Sequence, residues 1–161
     1  MPLLESLFQH DPENGRLLAI DYGDKRVGLA VSDPMGWFAV GLPTLNRNGG
    51  GPFVEDVAAS VSLYRLKGIV VGMPYHMDGS ESEKSSQVRA WLCDELVPAV
   101  GDIPVGYVDE RLSSSEAEDR LREQGKQPSR DKGSVDQMAA CLMVEQALNR
   151  PQSITWLPKT E

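Results

Sequence analysis

The 161-residue chain is 40% hydrophobic and 25% charged, and its 24 acids outnumber its 16 lysines and arginines to give a formal net charge of −8. This length and composition suit one ordinary globular domain with a real core, with no apolar run long enough to span a bilayer. The acidity argues against a general nucleic-acid coat protein but not against a nuclease, because a site built from carboxylates adds negative charge that bound metal ions offset.

The lead-in, residues 1–15, lacks the basic start and apolar core of a secretory signal and ends in the turn-like "DPENG". Leu17–Asp21 reads as a strand and Gly28–Ser32 as a second. "DYGDKR" between them is too short for a crossover helix, so the pair is expected to form an antiparallel hairpin. Phe38–Leu45 extends this to a three-stranded meander, and "NRNGGGP" is a loop. Phe53–Lys67 has helical spacing, with Gly68 as its cap. "IVVGM" is a short, wholly apolar strand, as expected where both sheet faces are covered. Its carboxyl end runs into "GMPYHMDGS" (Gly72–Ser80), whose Gly and Pro suit a fixed turn. Ser80–Val97 is a second helix, and "IPVGYVDE" (Ile103–Glu110) is the fifth strand. Ser113 with Glu116, and Ser134 with Gln137, have capping-box spacing, opening helices that stop near Gly125 and Asn149. The tail, residues 150–161, reads as irregular. The order predicts a single α/β domain over residues 1–161, a five-stranded mixed sheet flanked by helices.

Cys93 and Cys141 sit in apolar helical contexts outside any metal-ligand spacing, so reduced core thiols in a cytoplasmic protein are expected. His10 and His76 form no cluster. From Arg120 to Lys132 five cations face two anions, which is either a solvated helix end or a phosphate-facing loop.

In sheets of this kind functional groups gather beyond the carboxyl ends of the strands. Three acids qualify by position: Asp21 ends strand one, Glu110 ends strand five, and Asp136 falls in the first turn of the last helix. Each alone has an ordinary explanation as a turn, helix-preceding or helix-start residue. Together they would repel one another and need an offsetting cation. Hard Mg²⁺ or Mn²⁺ is the natural partner of clustered carboxylates when the substrate is a phosphate. One ion would lower the pKa of an attacking water, and a second would hold the leaving oxygen.

Four ordered stretches, "LLAIDYGDKRVGLAVSD", "IVVGMPYHMDGSES", "DERLSSSEAEDRL" and "KGSVDQMAACLMVEQAL", resemble the YqgF family from about Arg16 to Asn149. The resemblance implies the RNase H-like fold. It also implies a metal-dependent nuclease that processes the 5′ end of pre-16S rRNA in ribosome biogenesis, or one that resolves Holliday junctions. Carried over residue by residue, the three acidic ligands and catalytic residues are Asp21 in "IDYG", Glu110 in "DER" and Asp136 in "VDQ". The family further suggests that Gly23 lets backbone approach the phosphate closely. Arg111 and Lys132 are read as electrostatic helpers near the scissile phosphate, with surface salt partners as their alternative. Arg26 is read as a hairpin anchor, and Tyr75 or His76 as groove residues touching a base or sugar.

The expected partner is nucleic acid, RNA favoured over branched DNA, with ribosomal precursor particles possible, no membrane, and a monomer or homodimer. Two other classes stay open. A phosphate-transfer ATPase would need a second lobe that this chain is too short to supply, and no P-loop pattern is present. A non-catalytic RNA-binding assembly factor would keep the acids for stability alone.

Overall fold

A computed structural model of the chain describes residues 15–47, 53–109, 119–120, 122–125 and 132–158. Strand β1 (Arg16–Tyr22) carries four completely buried residues, Leu17 to Ile20, and β2 (Arg26–Ser32) returns antiparallel beside it. β3 (Ala39–Asn46) adds antiparallel to β2, completing the expected meander. Helix α1 (Val54–Leu63) then crosses to β4 (Leu66–Met73), which is buried along its whole length between parallel neighbours. Helix α2 (Glu83–Trp91) continues through a π-helical turn, Leu92–Leu96, into the short α3 (Val97–Ala99) and on to β5 (Val105–Asp109). Helix α4 (Lys132–Asn149) is followed by a two-residue strand, β6 (Thr155–Trp156).

The sheet has six strands in the order β3-β2-β1-β4-β5-β6, one more than the five expected. The sixth comes from the tail read as irregular. Two residues are too few to show alternation, and the pairing depends on a distant vacancy. A Cβ at Gly106 would lie 2.8 Å from the Thr155 carbonyl oxygen, so only glycine lets β6 close over the edge of β5.

Alternation divides each strand between two cores. Leu18 and Ile20 of β1, with Ile69, Val71 and Met73 of β4, pack under Val57 of α1 and Val88, Trp91, Leu92 and Leu96 of the α2 region. Leu17 and Ala19 of β1, Ala30 of β2, Val70 of β4 and Val108 of β5 pack under Ala140, Met143, Val144 and Ala147 of α4. Small residues on this second face let α4 sit close to the strands. A Cβ at Gly28 would strike the backbone carbonyl of Asp136, and one at Gly41 would lie 2.6 Å from the Gln137 side chain.

Several element ends differ from expectation. Helix α1 stops at Leu63, and Gly68 lies inside β4 rather than capping the helix. The left-handed position falls on Arg65, with φ 51°. Helix α2 begins after Ser82, whose hydroxyl accepts from the Ser85 N–H while Ser85 reciprocates. Helix α4 begins at Lys132, two residues before Ser134, and Gln137 does not form the expected capping box. Its Nε2 instead donates to the Leu42 carbonyl at 2.7 Å, tying α4 to β3. The Ser113–Glu116 pair lies outside the described residues, while Gly125 adopts φ 79° where the preceding helix was expected to stop. Cys93 is exposed on the π-helical turn, so only half-buried Cys141 approaches the expected core thiol. Among the described residues no helix is long and apolar enough to cross a membrane.

Candidate active site at the carboxyl edge of the sheet

The apolar run of β1 reaches the sheet edge and delivers Asp21 onto the α4 face, because Leu17 and Ala19 share its parity. Asp21 stands directly opposite Gly28 on β2. On β4 the next pair beyond Ile20–Val71 places Gly72 beside it. Glycine on both flanking strands removes the side chains that would otherwise cover the carboxylate. The same Gly28 receives α4, and the Asp136 Cβ comes within 3.1 Å of where a Gly28 Cβ would stand. Directly opposed Cβ atoms in a sheet are about 4.5–5.5 Å apart, so the Cβ atoms of Asp21 and Asp136 lie within roughly 9 Å of each other. Two acids separated by over a hundred positions therefore meet on one face.

Asp136 is not in the first turn of its helix. It is the fifth residue of α4, past the unpaired N–H groups, so the helix dipole does little for it. Its partner is Arg26, whose Nε donates to Asp136 Oδ2 at 2.9 Å. Burial pushes the Asp136 carboxyl above the usual carboxylate range, and Arg26 pulls it back only in part. Arg26, read as a hairpin anchor, thus lies in the site. The signal for this was its parity with Gly28 and Ala30, which places it on the α4 face.

The turn after Asp21 is clamped from behind. Arg47 donates from Nη1 to the Gly23 carbonyl at 2.9 Å and from its backbone N–H to the Lys25 carbonyl at 2.9 Å. Its guanidinium lies over the rings of Tyr22 and Phe53, at 4.9 and 5.4 Å, and Trp91 completes that aromatic cluster. Lys84 on α2 pairs with Asp24 at 2.8 Å. Gly23 is demanded by the turn itself, since a Cβ there would strike the Arg26 carbonyl.

The loop after β4 is a fixed turn, as its Gly and Pro suggest. Ser82 Oγ donates to the Pro74 carbonyl at 2.6 Å, and the His76 N–H to the Ser80 carbonyl at 3.0 Å. Arg89 reaches the Tyr75 hydroxyl at 3.1 Å, so that hydroxyl is already engaged, while His76 is exposed. In the basic stretch, Arg120 pairs with Glu145 at 3.0 Å and Arg122 with Asp119 at 3.3 Å. Lys126 and Arg130 lie outside the described residues, as do the Lys132 side chain, Glu110 and Arg111.

Asp109, at the end of β5, shares the parity of Tyr107 and falls on the α2 face, away from Asp21 and Asp136. No group of three potential metal ligands occurs among the described residues. The donors present are hard carboxylate oxygens on a glycine-cleared face, which is chemistry that fits Mg²⁺ or Mn²⁺.

A family model described as a Holliday junction resolvase, RuvX, matches residues 15–150. A protein of Synechococcus elongatus named "Putative pre-16S rRNA nuclease" is 38% identical over 135 residues, covering 82% of this chain and 87% of the relative. One of the same name from Trichormus variabilis is 39% identical over 132 residues, covering 82% and 86%. Among solved structures, Thermus thermophilus RuvC in complex with a Holliday junction substrate aligns with a TM-score of 0.56 at 16% identity, covering 89% of this chain and 99% of that one. That likeness establishes the fold as RuvC-like and RNase H-like, as the motifs implied. By the span of the family model and the identity of these relatives, the chain belongs to the RuvX family, the family its motifs resemble under the name YqgF.

Proposed function

We propose that this protein is a metal-dependent nuclease that hydrolyses phosphodiester bonds, with 5′-end processing of pre-16S rRNA as its task. The observation that carries the reading is the convergence of Asp21 and Asp136 on one glycine-cleared face at the carboxyl edge of the sheet. The names of the relatives favour a precursor rRNA as substrate. The family description supports a second reading, branched DNA cut by the same acids.

Asp21, Glu110 and Asp136 would hold one or two divalent ions. Glu110 is proposed on its place in the "DER" motif and lies outside the described residues, while Asp109, the last residue of β5, falls on the opposite face from Val108. The ions supply an activated water and stabilise the leaving oxygen. Asp21, on the rigid end of β1, sets one carboxylate against the clamped turn. Arg26 holds Asp136 through Oδ2, orienting the carboxylate and offsetting part of the cost of its burial. Lys132 and Arg111 are proposed to neutralise the phosphate. Gly23 is proposed to let the backbone approach it, in addition to its role in the turn. On this reading the protein would act in the cytoplasm on ribosomal precursor particles.

The test is a side-by-side cleavage assay. It offers a pre-16S rRNA fragment, single-stranded RNA and DNA, and a four-way junction, each with Mg²⁺ or Mn²⁺. Cleavage of the precursor that is lost in Asp21→Asn supports the reading. A purified protein that cuts nothing, or an Asp21→Asn variant that cuts equally well, overturns it.

A further inference from the structure

At the pole opposite the acids, the end of α1 and the start of β1 enclose an open cleft of about 200 Å³ lined by Gly15, Arg16, Pro34, Leu63, Tyr64 and Arg65. Two of its six lining residues are arginines, and neither guanidinium has an ion-pair or hydrogen-bond partner among the described residues, which leaves both positive charges open to a ligand in a chain of net charge −8. Arg65 is also the one non-glycine among the described residues with positive φ, 51°. The position just past a helix end ordinarily takes glycine or asparagine, because a Cβ is strained there. The strained conformation is held in place by Arg16, whose N–H donates to the Arg65 carbonyl at 3.0 Å. Gly15 packs so closely on that same carbonyl that no Cβ would fit. The backbone thus locks the two arginines side by side at the expense of local strain, and strain kept at a non-glycine residue points to use.

We propose that this cleft is an anion site that takes a phosphate, with its attached sugar, from a nucleic-acid strand. Guanidinium groups match phosphate oxygens bidentately. Tyr64, Pro34 and the exposed Leu63 supply an apolar wall for the sugar. The volume suits a sugar-phosphate and is too small for a folded peptide segment. The cleft lies one strand length from the acids, since Arg16 opens β1 and Asp21 lies near its end, roughly 17 Å along the strand at about 3.3 Å per residue. It faces the α1 side of the sheet, so it is separate from the acid site and would anchor a distal part of a structured substrate. The choice of nucleic acid as occupant rests on the nuclease reading, while the anion site does not.

The test measures binding of a fluorescent single-stranded RNA in EDTA, where no metal-dependent cleavage occurs, across a salt series. Arg16→Ala, Arg65→Gly and the double variant are compared with wild type. Each lost phosphate contact flattens the slope of log affinity against log salt by about one, and the double variant is expected to bind about tenfold more weakly at 0.1 M salt. Arg65→Gly relieves the strained backbone, so its Tm is expected to stay level or rise by about 1–3 °C while affinity falls. Inorganic phosphate serves as a probe independent of any nucleic acid, and is expected to raise the Tm of wild type but not of the double variant. Unchanged RNA affinity and salt slope in folded variants, or displacement of the RNA by an acidic peptide but not by phosphate, overturns the proposal. If wild type binds no RNA yet keeps the phosphate-dependent Tm shift, RNA is overturned as the occupant and the anion site stands, while the nuclease reading is judged separately by the cleavage assay.

Discussion

Asp136, proposed as a metal ligand, carries an energetic cost. Burial lifts its carboxyl above the ordinary range, so the folded state holds the proton more tightly than the unfolded chain. The stability linked to that proton is present below the unfolded pKa and is lost as pH rises through the folded one. At neutral pH the charged carboxylate is therefore a burden that Arg26 only partly offsets. Asp136→Asn should abolish cleavage, by more than about 100-fold, yet melt at or above the wild-type temperature when followed by circular dichroism, as expected where a site is kept at the expense of stability. A clearly lower Tm would show that the carboxylate stabilises the fold. Because the proton competes with a cation for this carboxylate, Mn²⁺ affinity should begin to fall at a higher pH than an unperturbed carboxylate would give. Calorimetric titration at several pH values measures this. Gly28 is the complementary position. In Gly28→Ala the new methyl meets the Asp136 backbone, which cannot swing aside as a side chain could. A loss of about 1–3 kcal/mol is expected in urea unfolding, together with loss of cleavage.

Helix α4 and the β2–β3 turn show how local sequence signals were redirected by packing. Ser134 and Gln137 have the spacing of a capping box, but α4 packs against β3 and the Gln137 amide serves the Leu42 carbonyl instead. Gln137→Ala should therefore destabilise by about 1 kcal/mol through the lost inter-element bond. The β2–β3 turn is organised by Asp33, whose carboxylate accepts from the N–H groups of Trp37, Phe38 and Met35 at 2.6, 2.8 and 3.1 Å. Burial raises its pKa, but those three donors outweigh it and hold the carboxyl below the usual range. The stability it contributes is present above the unfolded pKa and lost as pH falls through the folded one. The Tm of wild type should drop below about pH 4, and Asp33→Asn should flatten that drop while lowering the Tm at pH 7.

The molecule is a mixed sheet whose two faces carry separate work. The α1–α2 face holds the larger core and the aromatic cluster that clamps the turn after Asp21, while the α4 face carries Asp21 and Asp136. If the acids bind a divalent ion, Mn²⁺ at about 100 times its Kd should stabilise the fold by about 2.7 kcal/mol, and EDTA should reverse this. The shift, read by thermal denaturation, should vanish in Asp21→Asn. An unchanged Mn²⁺ shift in that variant would remove Asp21 from the ligand set, whatever the cleavage assay shows.

Much of this was legible in the chain alone. The meander, the buried β4 and the candidates Asp21 and Glu110 follow from hydrophobic periodicity and from carboxylates that end apolar runs, and Asp136 was picked out by its nearness to a helix start, all of which are local properties. The four ordered motifs named the family before any coordinates. The rest depended on contacts between residues distant in sequence. That Arg26 belongs to the site, that Gln137 is not a cap and that Thr155–Trp156 forms a sixth strand are all settled by where α4 and the tail come to rest. Gly28, Gly41 and Gly106 settle that placement by what they lack. Each is a missing side chain whose meaning appears only when another backbone fills the space. Alternation along β1 could put Asp21 on one face, but nothing in its neighbours could say that Asp136 would arrive there, because close packing over a glycine is a property of two elements at once.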